Sequence, residues 1–558
     1  MTRRITIGDA LAVAAESPFG LRFIEHDGRM LHVPYAALMK EACGIAASLL
    51  DRGLSNGDRV ALVIPEVSEF VYGFFGIVAA GLVPVPLCPP AQAGDIATFA
   101  KQSQHIIQAS RASAVITTAD VAPLLGDGDQ AGDVGALYRD TPTVLLLDDL
   151  KRGSPLGAPV PVSLESTALL QFTSGSTALP KGVALTHGNI AGNVEGILGP
   201  AGLDARDGDV AVSWLPLYHD MGLIGMLLSS LYAPADAVLM SPVLFLKRPS
   251  AWLDAISNYR GTVSFAPNFA YELCRRRVKS SQVESLDLSR WRVAGCGAEP
   301  IRPDTLQQFA DYFAPAGFRS SSFLPSYGLA EHSLAVTFAH GGLHVDVVDA
   351  ERLVRDSRAV PVVNGSASVR VVRCGRGFPG HAIRIVDEHF NDLPERHVGQ
   401  IIAAGPSVMQ GYYEQPEATA ATLRGGWLLT GDLGYMADDS LYVCGRTKDL
   451  IIRQGRKYHP PDIESSLADL QGVALSGVVV FAVNHVEEPD QVVAVLETRA
   501  GGRADEIEEA VRRRIRETAG LEIDRVVLTP PGTIPRTTSG KVRRSETRDR
   551  LEAGTLVR

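Results

Sequence analysis

The chain has 558 residues, 46% of them hydrophobic and 21% charged, with a formal net charge of −10. That length allows several domains with sizeable cores, and the composition is globular rather than disordered or fibrous. The negative balance argues against non-specific nucleic-acid binding, because no global positive field would gather phosphates.

The first stretch, MTRRITIGDALAVAAESP, has its apolar run broken by Asp9 and Glu16. A signal peptide is therefore not expected, and the reading is a cytoplasmic protein. Cys43, Cys88, Cys274, Cys296, Cys374 and Cys444 form no CxxC pair, which points to reduced thiols rather than disulfides or a zinc site. YAALMKEACGIAASLLDRG predicts a helix ended by Gly53, and RVALVIP a buried strand. The apolar run 70–87 is marginal for a membrane span; Gly81, Pro84 and Pro86 divide it into a helix over 70–81 and a strand over 83–87. SAVITT and TVLLLDD add short β-branched runs, and residues 126–135 read as a loop. This alternation predicts parallel sheets covered by helices.

At LLQFTSGSTALPKGVALTHGNI, Leu169–Phe172 reads as the end of a buried strand and His187 as a helix entry. Thr173 to Gly182 then form a loop rich in hydroxyls and backbone donors, suited to a polyanion. It is not a P-loop, because Lys181 precedes Gly182 and no glycine stands five residues ahead of a GK[ST] triplet. Further along, SWLPLYHDMGLIG sets His219 and Asp220 between apolar flanks, and SFAPNFAYELC carries Asn268. VAGCGAEP is a strand running into a glycine turn, where backbone can approach a flat ligand closely. SYGLAEH supplies Tyr327 and Glu331; LLTGDLGY places Asp432 after a strand; GRTKDL adds Arg446; PRTTSGKVRR puts Lys541 on a glycine-flanked turn.

Taken singly, His219 fits a hydrogen-bonded core histidine and Glu331 a helix cap. Asp432 fits a turn aspartate, Lys541 a solvated charge cluster, and the loop an ordinary glycine–serine turn. The end of the chain is compact: strands GVVVFAV, QVVAVLETR and RVVLTP surround a helix over 504–519. Ile507, Val511 and Ile515 recur every four residues on one face of that helix. These elements predict a small α+β domain, 449–558, behind a large domain, 1–448.

The order and wording of these stretches resemble the adenylate-forming superfamily, and within it the fatty acyl-AMP ligases, over about residues 30–545. FTSGSTALPKGVALTHGNI, GDLGY, GRTKDLIIRQGRKYHPPDIE and PRTTSGKVRR carry the superfamily likeness; WLPLYHDMGLIG and APNFAYELC carry the narrower one. The resemblance implies an α/β fold: a large N-terminal domain of αβαβα layers plus a β-subdomain, and a small mobile α+β C-terminal domain. It implies ATP and Mg2+ as cofactors, a fatty acid substrate, and an acyl carrier protein or carrier domain whose phosphopantetheine arm takes the acyl group. Acyl- or aryl-CoA ligases and a catalytically silent relative are the competing readings.

By the same resemblance, Thr173, Ser174, Gly175, Ser176, Thr177 and Lys181 hold the ATP phosphates. Gly297, Ala298, Glu299, Ser326, Tyr327 and Gly328 surround the adenine, with Tyr327 stacked on it, while Asp432 and Arg446 serve the ribose. Glu331 and Thr177 attend magnesium; His219, Asp220, Met221, Gly222 and Asn268 receive the acyl substrate. Lys541, Glu331 and His219 are the implied catalytic groups, and Asp449 the hinge. The chain departs from the family pattern at Ala178, Cys296, Ser326, Gln400 and Lys457, without losing a charge that adenylate formation needs. The interval from Glu331 to Gly375 is lengthened by a segment resembling the acyl-AMP ligases' insertion, expected against the large domain.

Overall fold

The computed structural model describes residues 4–90, 96–125, 142–173, 180–362, 367–467, 470, 472–483, 491–498, 504–537 and 541–556. Among them, Val83–Pro86, Arg59–Val63, Ala114–Thr117 and Thr143–Leu146 lie side by side as a parallel sheet, as the alternating pattern predicts. Helices Tyr35–Asp51 and Val67–Ala79 pack against each other beside it. Their crossing is close: a Cβ on Gly76 would come within 2.3 Å of the Ile45 side chain. The marginal apolar run is therefore core, buried on nearly every face of Val67–Ala79. No helix of the described residues is long and apolar enough to cross a membrane.

The largest sheet runs in parallel through Gly20–Ile24, Asp236–Met240, Val210–Ser213, Val263–Ala266, Val293–Cys296 and Phe323–Gly328. These strands are apolar almost throughout, as strands covered on both faces must be. An aromatic layer of Trp252, Tyr271, Trp291 and Phe309 fills the space beside them with ring centroids 5.0–6.4 Å apart. Direction reverses after Phe323–Gly328, where Ala335–Phe338 pairs antiparallel. The sheet then continues antiparallel through Ser368–Gly377, Ser440–Arg446, Trp427–Ala437, Gly399–Ala404 and Ala382–Val386.

A small antiparallel sheet of Thr167–Thr173, Lys181–Thr186 and Gly411–Tyr412 corrects one expectation. Lys181 and Gly182 open a strand rather than close a loop, with Lys181 directly opposite Thr173. The run VALT, β-branched at both ends and buried, favours this pairing before His187 starts its helix. Residues 174–179, carrying Ser174, Gly175, Ser176, Thr177 and Ala178, lie outside the described residues, as does the loop expected at 126–135. Asp432 is likewise within a strand, Trp427–Ala437, not after one. A register shift between Leu433 and Gly434 bends the strand beside it.

At the C-terminal end, Val473–Val483, Gln491–Thr498 and Arg525–Thr529 form a mixed sheet covered by the amphipathic helix Ala504–Ala519. Ile507, Val511 and Ile515 are its buried stripe, as the spacing predicts. The chain is thus a large α/β body followed by a smaller α+β one. The lengthened interval packs against the large body as expected, with Val348, Leu353 and Val371 in one core with Tyr435, Tyr442 and Cys444, and it also touches the smaller body. It folds as strand Val345–Asp349, helix Ala350–Asp356 and strand Ser368–Gly377. The helix packs on Arg456–Tyr458 and Ala504–Ala519 of the smaller body, and half-buried Val354 packs against the core of Ile451, Tyr458, Val511 and Ile515. Apolar contact explains this choice, because Leu353 faces its own sheet while Val354 faces outward to the smaller body.

Candidate active site

The candidate residues gather where the parallel strands end and the antiparallel ones begin. Strand Val293–Cys296 stops at Gly297, where backbone runs tight against its neighbour: a Cβ there would sit 2.5 Å from Ser326 Oγ. Ala298 takes the left-handed conformation at φ 69°, which turns the chain sharply toward Glu299. Glu299 Oε1 accepts the Phe269 N–H at 2.8 Å, and Asn268 Oδ1 accepts the Arg302 N–H at 3.0 Å. These reciprocal bonds lock the glycine turn onto the start of helix Asn268–Arg277. Asn268 thus has a structural bond in addition to the role expected of it. Burial pushes the Glu299 carboxyl upward, against the opposing pull of the Phe269 N–H, Arg302 and Lys541.

Tyr327, Asp432 and Arg446 come from three strands. The Tyr327 hydroxyl donates to Asp432 Oδ2 at 2.7 Å, and Arg446 Nε donates to Oδ1 at 3.1 Å. Asp432 is buried while its carboxylate keeps lone pairs to spare, so it can accept further hydroxyls. Ser326 Oγ donates to the Cys296 carbonyl at 3.1 Å, tying the two strand ends together. Gly328 is needed for the turn that follows, since a Cβ would meet the Leu334 carbonyl at 2.1 Å.

His219 and Asp220 stand at the entry of a π-helical segment, Met221–Leu228. Such segments recur at functional sites because they widen the helix locally. His219 Nδ1 is 3.6 Å from Asp220 Oδ1, and the same oxygen accepts the Met221 N–H at 2.7 Å. Gly222 allows the close turn: a Cβ would lie 2.2 Å from the Pro216 carbonyl. Burial opposes ionisation of Asp220, but His219, Lys541 and the Met221 N–H together hold its carboxyl below the usual range.

Lys541 arrives from the far end of the chain. Its N–H donates to Thr537 Oγ1 at 3.0 Å and its carbonyl accepts the Thr537 N–H at 2.7 Å, which closes the turn that carries it. Burial pulls its ammonium below the ordinary value and Arg446 adds to that, while Asp220, Glu299 and Asp432 act in the opposite sense. A single cation is therefore felt by carboxylates from three separate segments of the large body.

A second group adjoins this one. Lys181 Nζ lies 4.8 Å over the ring of Tyr412, and the Tyr412 hydroxyl donates to Glu331 Oε1 at 2.8 Å. Glu331 also acts electrostatically on Arg446, which joins the two groups. Tyr412 was not legible as a site residue, since its partner is 81 positions away. Among the described residues, no group of three or more His, Cys, Asp or Glu could hold a metal. The single carboxylate of Glu331 suits magnesium, which commonly takes one or two carboxylates and completes its shell with substrate phosphates and water. At the expected hinge, Asp449 Oδ2 pairs with Arg544 at 2.7 Å, and Arg544 also reaches Glu464 at 2.8 Å and the Val480 carbonyl at 3.1 Å.

The family of AMP-binding enzymes matches residues 14–413. The chain belongs to that family. It is an ATP-dependent, adenylate-forming ligase, closely related to the long-chain-fatty-acid–AMP ligases. A Caulobacter vibrioides protein provisionally named an acyl-CoA synthetase is 38% identical, over 99% of this chain and 96% of its own length. The long-chain-fatty-acid–AMP ligase FadD26 of Mycobacterium marinum is 34% identical, over 92% of this chain and 90% of its own. A solved structure from studies of fatty acyl-adenylate ligases of E. coli and L. pneumophila superposes with a TM-score of 0.91, at 38% identity and 98% of both chains.

Proposed function

We propose that this ligase activates a free fatty acid with ATP and then passes the acyl group to the phosphopantetheine thiol of an acyl carrier protein. In the first step a carboxylate oxygen attacks the α-phosphorus of ATP, an acyl-adenylate forms and pyrophosphate leaves. The difficulty is electrostatic, because an anion must approach a centre already surrounded by negative oxygens. Lys541 lies where it can offset that repulsion, and preorganised charge of this kind is the largest single contribution in many enzymes. Magnesium, when bound beside Glu331 and the phosphates, would neutralise charge on the oxygens and orient the leaving pyrophosphate.

The remaining groups position. Thr173 and Lys181 frame the phosphate loop, the glycine turn at Gly297 and the Tyr327 ring face the adenine, and Asp432 accepts the ribose hydroxyls with Arg446 behind it. His219, Met221, Gly222 and Asn268 receive the acyl end, and Asp220 holds His219 and Lys541 in relation to each other. In the second step the thiol attacks the acyl carbonyl and AMP departs. Lys541 must leave the site first, and Asp449 is the pivot for that movement.

The observation that carries the carrier-protein reading is the seat of helix Ala350–Asp356 on the smaller body, with half-buried Val354 packed against that body's core. Such a contact would oppose rotation of the smaller body and so retain acyl-adenylate until a carrier arrives. The name of the Caulobacter relative favours a second reading, transfer to CoA. Pyrophosphate release across a panel of free acids tests the first step: release is expected only with ATP, magnesium and a fatty acid together. Release that ignores the acid, or requires none, would reject the proposal.

A further inference from the structure

We infer that Tyr412 is a positioning residue that couples the lysine of the phosphate loop to the magnesium carboxylate, so that metal and phosphates bind as one unit. The inference rests on the roles proposed above for Lys181 and Glu331. Its geometry is independent of them. The segment 409–413 runs between the two groups and is fastened to both. The Met409 N–H donates to the Glu331 carbonyl at 2.9 Å, the Gln410 N–H to the Ala184 carbonyl at 3.0 Å and the Tyr413 N–H to the Gly182 carbonyl at 2.8 Å. Thr419 Oγ1 accepts the Tyr412 N–H at 2.9 Å from the other side.

Tyr412 is therefore mounted on the strand next to Lys181–Thr186, opposite Val183, one step along the same face from Lys181. Thr173 stands opposite Lys181 on the third strand, so three adjacent strands line up Thr173, Lys181 and Tyr412. The ring offers its negative face to the Lys181 ammonium at 4.8 Å, within the range of an effective cation–π contact. The hydroxyl at the far end of the same side chain donates to Glu331 Oε1 at 2.8 Å, a bond strengthened by the carboxylate's charge. One rigid side chain thus sets the distance between a cation meant for phosphate and an anion meant for metal. Without it, Lys181 and Glu331 are free to draw toward each other or to turn away, and each must be ordered separately when MgATP binds.

The ring also walls a cleft of about 340 Å³ with Ala184, Gln410, Gly411, Pro416, Thr419 and Ala420, so truncation to alanine would enlarge a void. Tyr412→Phe is the informative variant because it removes only the hydroxyl. Calorimetric titration of ATP without acid substrate, once with EDTA and once with magnesium, separates the two arms of the coupling. In the wild type magnesium should tighten ATP binding. In Tyr412→Phe that gain should shrink about tenfold, as expected for losing one hydrogen bond to a charged group, with metal-free affinity unchanged within twofold. Tyr412→Leu should in addition weaken metal-free binding about threefold through loss of the ring beneath Lys181. A Tyr412→Phe protein with the full magnesium gain would overturn the inference. So would an equal loss with and without magnesium, the mark of a merely structural role. A wild type in which magnesium leaves ATP affinity unchanged would instead reject the assignment of Glu331, and the inference with it.

Discussion

Lys541 is the residue on which the proposed adenylation step depends most, and its surroundings say what its loss should do. Burial works against its charge, while Asp220, Glu299 and Asp432 favour it. Lys541→Ala should lower pyrophosphate release about a hundred- to a thousand-fold, the usual consequence of removing one preorganised charge donor. ATP affinity should change little, because the groups proposed for adenine, ribose and phosphate lie on the large body. Steady-state release assays with a parallel ATP titration check both halves, and wild-type turnover in the variant would remove Lys541 from the mechanism. At this scale the sequence was most informative about residue types and least informative about partnerships. Tyr327, Asp432 and Lys541 could be named from their stretches. The hydroxyl of Tyr327 on Asp432, the bond between Asn268 and Arg302, and the whole role of Tyr412 depend on residues 105, 34 and 81 positions distant. No local pattern encodes such a pair.

Elements were legible where hydrophobic period and punctuation agreed. The alternation before residue 150 and the stripe of Ile507, Val511 and Ile515 translated directly into a parallel sheet and a surface helix. Two readings failed for a shared reason. The Lys181–Thr186 strand and the middle of Trp427–Ala437 contain glycines and charged residues that look like loop. Pairing with neighbours overrode that local signal, as tertiary context often does in strands. The hinge shows how an element carries function. Asp449 ends a short 3-10 turn, Thr447–Asp449, and the φ typical of such turns suits proline. The carboxylate is tied to Arg544, three residues beyond Lys541, so the proposed pivot is bonded directly to the lysine-bearing segment. Asp449→Pro removes that carboxylate but should stiffen the proposed pivot, and since Asp220, Glu299 and Asp432 act on Lys541 in this pose, the pose it should favour is the adenylating one. Acyl-adenylate should form at a rate within a few-fold of wild type, while transfer to the acceptor falls at least tenfold. Single-turnover measurement of the two steps distinguishes this from general damage, and equal wild-type rates for both would put the pivot elsewhere.

At the scale of the whole molecule, the question is how the smaller body is kept from moving too early. The lengthened segment after Glu331 and its packing on the large body were legible in the sequence, but its second contact, with the smaller body, was not, because Leu353 and Val354 are adjacent apolar residues that face two different cores. With Val354 among Ile451, Tyr458, Val511 and Ile515, rotation of the smaller body must first break an apolar contact. The proposed carrier specificity would follow if only a docked protein partner, and not free CoA, repays that cost. The most direct measurement mixes enzyme, ATP, magnesium and a fatty acid, follows bound acyl-adenylate, and then adds CoA or a holo-carrier protein in separate reactions. The account predicts that acyl-adenylate accumulates to about one per enzyme, persists with CoA and is discharged by the carrier, and that Val354→Asp raises acyl-CoA formation severalfold with pyrophosphate release unchanged. Rapid, stoichiometric acyl-CoA formation by the unmodified enzyme would contradict it.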